Sequence, residues 1–166
     1  DIRAINPLVK VPTLVCDDGE VLVDSTLIID YLESIAPKGR SLTPTSPVAR
    51  RRVLQLTGIA LIAMEKVVQH LYETKQRPKE RQHQPWIDRV DQQLSGAVQM
   101  LADAVGDGNR WLTDTAPTQA DVSIAVALRF VRQIRPEALP QEKFEGLHRF
   151  SQRAEALPAF LACPYD

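Results

Sequence analysis

The fold turns on residues 6–34, NPLVKVPTLVCDDGEVLVDSTLIIDYLES. Residues 13–16 are a short apolar run rich in β-formers, and residues 21–23 are a second. Asp17, Asp18 and Gly19 separate them. Gly accepts a positive φ without steric cost and Asp bonds its own backbone, so this is a turn. Two such runs around Asp-Gly predict a β-hairpin. The period then changes: Leu27, Ile28, Tyr31, Leu32 and Ile35 recur at helical spacing, and Pro37 and Gly39 end the pattern. A lone two-stranded hairpin is marginal in water. The unit is therefore expected to draw further strands from sequence ahead of Asp1 rather than from another chain.

Residues 38–46, KGRSLTPTS, are rich in Gly, Pro, Ser and Thr and read as a linker. Beyond it the chain turns helical. Ser46-Pro47 is a cap followed by Pro at the first helical position, and a long helix is predicted to run to about residue 76 with only Gly58 interrupting. The polar segment around residues 78–84 connects it to a second helix, whose stripe is Ile87, Val90, Leu94, Val98, Leu101 and Val105. Thr118 opens a third, apolar on nearly every side over residues 121–131, as a helix at the centre of a bundle must be. A weaker amphipathic helix is expected over residues 141–156, stopped by Pro158. The predicted domains are residues 1–37 and 47–166, joined by the linker 38–46.

Composition narrows the function classes. The 166 residues are 44% hydrophobic and 25% charged, close to globular averages, so a folded core is expected. A net charge of −1 offers no basic excess for nucleic acid or an anionic membrane, and neither is an expected partner. Cys16 and Cys163 lie far apart, and His70, His83 and His148 are scattered, so no disulfide framework and no metal site are expected. The longest nearly uncharged run, residues 54–64, is about half the length of a membrane span. Without a targeting segment or paired cysteines, the expected location is cytoplasmic.

Chemistry concentrates in two places. Pro12 is tolerated at the start of a strand, where it removes one ladder bond. A cis Val11–Pro12 peptide would instead turn the Val11 N–H and C=O outward, toward an extended peptide laid antiparallel beside them. Asp24 and Ser25 end the second strand and open the helix. They read as an N-cap, with Ser a preferred cap. The same geometry makes a carboxylate site of the helix N-terminus, while Asp24 could hold an ammonium group. Together these describe an α-amino acid head group. Lys10 is either a solvated charge or the partner of a second carboxylate. Cys16 lies in a strand run, where an inert thiol outweighs a nucleophile.

The Asn-Pro, the Lys-Val-Pro, the Asp-Gly turn and the acidic-Ser pair before a helix resemble the second half of the thioredoxin-like domain of soluble glutathione S-transferases, bacterial members in particular. A second signature, WLTDTAPTQADVSIAVALRF at residues 111–130, is similar to the helix-nucleating segment of that family. There Thr118 would accept from the Asp121 N–H while the Asp121 carboxylate returns to the Thr118 N–H, a capping box with a structural role. The resemblance implies an α/β thioredoxin-like N-terminal domain, only its second half present, followed by an all-α C-terminal bundle. It implies glutathione as co-substrate and no metal. Val11 would bond the cysteinyl backbone, Asp24 and Ser25 the γ-glutamyl head, Lys10 would lie near the glycyl end, and Pro12 would fix the loop. The Ser, Cys or Tyr that contacts sulfur in the family is expected within about 40 residues ahead of Asp1, so the catalytic residue is unknown and Cys16 is not promoted to it.

Conjugation of a small hydrophobic electrophile is the implied reaction, with detoxification as its setting. A glutathione-dependent reductase or isomerase, or a non-catalytic binding and assembly module, are the alternatives. Met64, Val68 and Tyr72 are candidates to meet the second substrate, with a core role as the competing reading. The family implies a homodimer; Arg50, Arg51 and Arg52 are a solvated face or an ion-pairing edge of it.

Overall fold

The structure, a computed structural model, describes residues 1–37, 39–113 and 116–164. Lys38, where the linker was expected to begin, lies outside the described residues. So do Asp114 and Thr115 of the downstream signature, and Tyr165 and Asp166 at the end of the expected helical domain. The chain forms two compact units, Asp1–Thr43 and Pro44–Asp166, dividing inside the stretch read as a linker.

In the first unit, a single helical turn, α1 (Ile2–Ile5), is capped by Asp1, which accepts the Arg3 N–H at 3.1 Å. Strands β1 (Thr13–Val15) and β2 (Val21–Val23) pair antiparallel in the register Thr13↔Val23, Leu14↔Leu22 and Val15↔Val21. Their turn is closed by the Cys16 N–H on the Glu20 carbonyl at 2.8 Å and by the Glu20 N–H on Asp18 Oδ1 at 3.0 Å. Gly19 sits at φ 88°, which explains the glycine there. Helix α2 (Ser25–Ile35) follows. Of its apolar stripe only Ile28 is buried; Leu27, Tyr31, Leu32 and Ile35 remain exposed, since two short strands cannot cover a whole helix face. Glu33 ties the end of α2 to the following segment, accepting from the Ser41 hydroxyl at 2.5 Å and the Leu42 N–H at 2.8 Å. Burial pushes the Glu33 carboxyl up, but these bonds and those from Thr43 outweigh it and hold the group below its ordinary value.

The second unit is a bundle of α3 (Pro47–Leu71), α4 (Gln84–Val105), α5 (Gln119–Ile134) and α6 (Glu145–Glu155), with a final turn α7 (Pro158–Ala162). α3 buries Val53, Leu56, Ala60, Ala63 and Val67. Its two buried alanines keep the helix surface low where α4 and α5 pack. α5 lies against both α3 and α6, burying Ala120, Ile124, Ala125, Ala127, Leu128 and Val131. Its burial is not complete: Val126 is exposed. α6 ends at Glu155, with Ala156 as its cap, just ahead of Pro158 as expected, and Pro158 also begins α7, because a missing N–H is harmless in a first turn. α6 begins at Glu145, since residues 141–143 form a turn in which the Lys143 N–H meets the Pro140 carbonyl at 3.2 Å.

The polar α3–α4 connection is built on a buried acid. α3 passes into a π-helical turn, Tyr72–Gln76, and Glu73 in that turn is 5% exposed. Its carboxylate accepts from the Arg77 Nε at 2.8 Å and the His83 N–H at 2.9 Å. Gln82 adds bonds to the Thr74 and Arg77 carbonyls. Elsewhere Asp91 of α4 ties α3 to the residue that caps the end of α5: Oδ1 meets His70 Nδ1 and Arg135 Nη1, both at 2.8 Å. Trp111 packs as a core residue, edge-on to Phe150 with the Arg153 guanidinium 3.9 Å over its ring.

Candidate functional site

The candidate site lies in the first unit, at one end of the hairpin. The register brings the residues just before β1 and those just after β2 to the same end, so one further step sets Pro12 opposite Asp24. The Val11–Pro12 peptide is cis. Val11 is 77% exposed and Lys10 and Pro12 are exposed beside it. Among the described residues, neither the N–H nor the C=O of Val11 has a hydrogen-bond partner.

At α2 the cap read for the Asp24-Ser25 pair falls on one of the two residues. Asp24, not Ser25, is the N-cap: its Oδ1 accepts the Thr26 N–H at 2.9 Å and its carbonyl takes the Ile28 N–H at 3.0 Å. Both residues have cap chemistry, so local sequence could not choose between them. Ser25 is the first helical residue and half-buried. Asp24 holds φ 76°, a left-handed backbone that only Gly adopts freely. Its exposed carboxylate spends one oxygen on the cap, leaving the other available to a ligand.

Asn6 is the residue the sequence reading missed. It is 3% exposed in a loop whose neighbours are open to solvent. Its Nδ2 donates to the Lys10 carbonyl and to Thr13 Oγ1, each at 3.0 Å, and its Oδ1 accepts the Leu8 N–H at 3.0 Å. Thr13 Oγ1 donates to the same Lys10 carbonyl at 2.7 Å. Between these anchors Val9 stands at φ 52°, strained for a β-branched residue. The Asn-Pro dipeptide entered the sequence reading only through the family resemblance, and nothing local marks it as a buried hub.

Cys16 is half-buried just past β1. Its charge and hydrogen bond raise the Tyr31 phenol above its ordinary value, helped by desolvation and by Asp18 and Asp17. In the second unit, Thr118 and Asp121 form the capping box of α5. The Asp121 carboxylate accepts the Thr118 N–H and hydroxyl, both at 2.7 Å, and also the Leu112 N–H at 3.0 Å. Of the second-substrate candidates, Met64 and Val68 are half-buried, Met64 against the bundle core, and Tyr72 is 62% exposed.

Residues 1–41 match the glutathione S-transferase N-terminal domain and residues 84–153 the glutathione S-transferase C-terminal domain. A glutathione transferase family member from Pseudomonas fluorescens, solved with bound S-(propanoic acid)-glutathione, is 30% identical with a TM-score of 0.82, over 95% of this chain and 78% of that one. A glutathione S-transferase from Methylobacterium radiotolerans in complex with glutathione sulfonate is 25% identical with a TM-score of 0.89, over 99% of this chain and 77% of that one. The glutathione S-transferase GstA of Escherichia coli O157:H7 is 27% identical over 95% of this chain and 74% of its own length. A probable maleylacetoacetate isomerase 1 of Drosophila melanogaster is 28% identical over 98% of this chain but 62% of its own length. The chain belongs to the glutathione S-transferase family, and its fold is that family's: part of a thioredoxin-like domain followed by the helical C-terminal domain.

Proposed function

We propose that this chain binds glutathione at the hairpin end and serves an enzyme that transfers the glutathione thiolate to a small hydrophobic electrophile. The observation that carries this is the meeting of Val11, with both backbone groups unpartnered, and Asp24 with the N-terminus of α2, at one end of one hairpin. An extended tripeptide laid antiparallel to residues 10–12 would exchange cysteinyl N–H and C=O with Val11. The γ-glutamyl carboxylate would sit on the free N–H groups of α2 near Ser25, and its ammonium against Asp24. Lys10 would face the glycyl carboxylate, and Pro12 would fix the loop. In the reaction the cysteinyl thiol gives up its proton, the sulfur bonds to an electrophilic carbon, and the electron pair leaves with the departing group or enters the conjugated system. Each unit by which the site lowers the thiol pKa is worth about 1.36 kcal/mol. No residue of this chain is proposed for the sulfur contact. The companion proposals are a homodimer in the cytoplasm.

Isomerisation is the second reading, favoured by the maleylacetoacetate isomerase name carried by relatives from Drosophila melanogaster and Pseudomonas aeruginosa, each 28% identical. There glutathione would add to a conjugated cis double bond and leave after rotation.

The test is retention of the full-length protein on immobilised glutathione, with a thermal shift at millimolar ligand. Asp24→Ala is expected to weaken binding by about ten- to a hundredfold, the worth of a hydrogen bond to a charged group. No retention and no shift in the unmodified protein would overturn the proposal. Turnover of aromatic electrophiles against that of a cis-configured unsaturated diketo acid then separates conjugation from isomerisation.

A further inference from the structure

The carbonyl of Lys10 and the N–H of Val11 belong to one peptide plane. That peptide is trans, so the two groups point in opposite directions. Whatever fixes the carbonyl therefore aims the N–H. Two donors fix it, Asn6 Nδ2 at 3.0 Å and Thr13 Oγ1 at 2.7 Å, and they are themselves bonded at 3.0 Å. Asn6 is held in turn by the Leu8 N–H on its Oδ1, the Val9 N–H on its backbone carbonyl at 3.0 Å, and its own N–H on Ile2 at 2.7 Å. Both side-chain donors and the acceptor are in use, in the buried polar side chain that this unit carries among its described residues. The anchors bracket the strained Val9, so the loop cannot relax by turning that residue back without breaking them.

We propose that Asn6 is a positioning residue, acting with Thr13 through the Lys10 carbonyl to aim the Val11 N–H at the ligand's backbone carbonyl. This rests on the glutathione reading above. Asn6 touches no ligand atom in this scheme; it removes the freedom that the peptide plane would otherwise lose on binding.

Asn6→Asp keeps the shape and the acceptor for Leu8 but removes both donors. Thr13→Val keeps the shape and removes the second anchor. The experiment measures the affinity of the full-length protein and both variants for two ligands, glutathione and γ-glutamylcysteamine. The second has the head group and thiol but lacks the cysteinyl carbonyl. Asn6→Asp is expected to weaken glutathione by roughly tenfold and Thr13→Val by about threefold, the range of single hydrogen bonds, with γ-glutamylcysteamine unchanged. Thr118→Ala, in the other unit, serves as a variant that is merely less stable and should move neither affinity. Equal losses for both ligands, or none for either, would overturn the role of Asn6 while leaving the glutathione site standing. Failure of the unmodified protein to bind glutathione would overturn both. Should Asn6→Asp not fold, Thr13→Val alone must show the selective loss or the inference fails.

Discussion

Replacing Asp121 by Ala should cost the bundle about 4 kcal/mol while leaving the proposed site of the other unit untouched. Asp121 is 1% exposed and its carboxylate closes three hydrogen bonds. Two of the donors are backbone N–H groups, Thr118 and Leu112, which cannot turn elsewhere. A buried donor left without a partner costs about 1–3 kcal/mol, so the pair amounts to roughly 2–6. The Thr118 hydroxyl can rotate and adds little. That is a large share of a typical folding free energy of about 5–15 kcal/mol. Asp121→Asn keeps one oxygen but sets an NH₂ against a donor, and should cost about half as much. Thr118→Ala should cost about 1 kcal/mol. The two positions share a bond, so the double variant should be less destabilised than the sum. Urea unfolding followed by helical circular dichroism measures all four, with an unchanged slope showing that stability alone has moved. An Asp121→Ala protein within 1 kcal/mol of the parent, or strict additivity, would refute the box as a buried, coupled unit.

Other positions give equally definite outcomes. A Cβ at Gly146 would lie 2.0 Å from the Gly106 carbonyl oxygen, whereas one at Gly58 meets nothing within 4 Å. Gly146→Ala should therefore lower stability by roughly 1–3 kcal/mol, and Gly58→Ala raise it by about 0.5–1 kcal/mol; thermal melts compare them. Val9→Gly should gain about 1 kcal/mol by releasing the left-handed strain, and a lowered midpoint would contradict that strain. Burial pushes the Asp91 carboxyl up, but the Arg135 hydrogen bond and charge, with His70, outweigh it and hold the group below its ordinary value. A depressed carboxyl stabilises above the unfolded value of roughly 3.9 and loses that contribution as pH falls through the folded one. The stability gap between the parent and Asp91→Asn should be full at pH 6 and shrink below about pH 4; a gap constant from pH 7 to 3 would count against it.

The long helices were legible because their burial is periodic along the chain. The stripe of α4 from Ile87 to Leu101 could be read directly, and each of its first five positions is buried. What escaped the sequence lacks such a period. α1 has four residues, too few for any pattern to show. Pro158 carries one chemistry with two meanings, since Pro ends one helix and begins another equally well. Glu73 sits in a polar stretch that reads as solvated, and only the fold of the connection shows its carboxylate buried under the His83 N–H. The Asp91 cluster joins residues 21 and 44 positions away, with no local mark.

The candidate site divides along the same line. Lys10, Val11, Pro12, Asp24 and Ser25 could be named because they lie at strand ends and a helix start, where backbone groups go unpaired by rule. Asn6 could not. Its bonds reach only as far as Thr13, within sequence range, yet a turn Asn commonly bonds its own backbone and faces water. What turns it into a hub is burial, and burial depends on α1, the loop and β1 closing around it together. The residues proposed to meet a ligand were thus more legible than the residue proposed to position them. A contact follows from the chemistry of one group, whereas positioning follows from the simultaneous geometry of several.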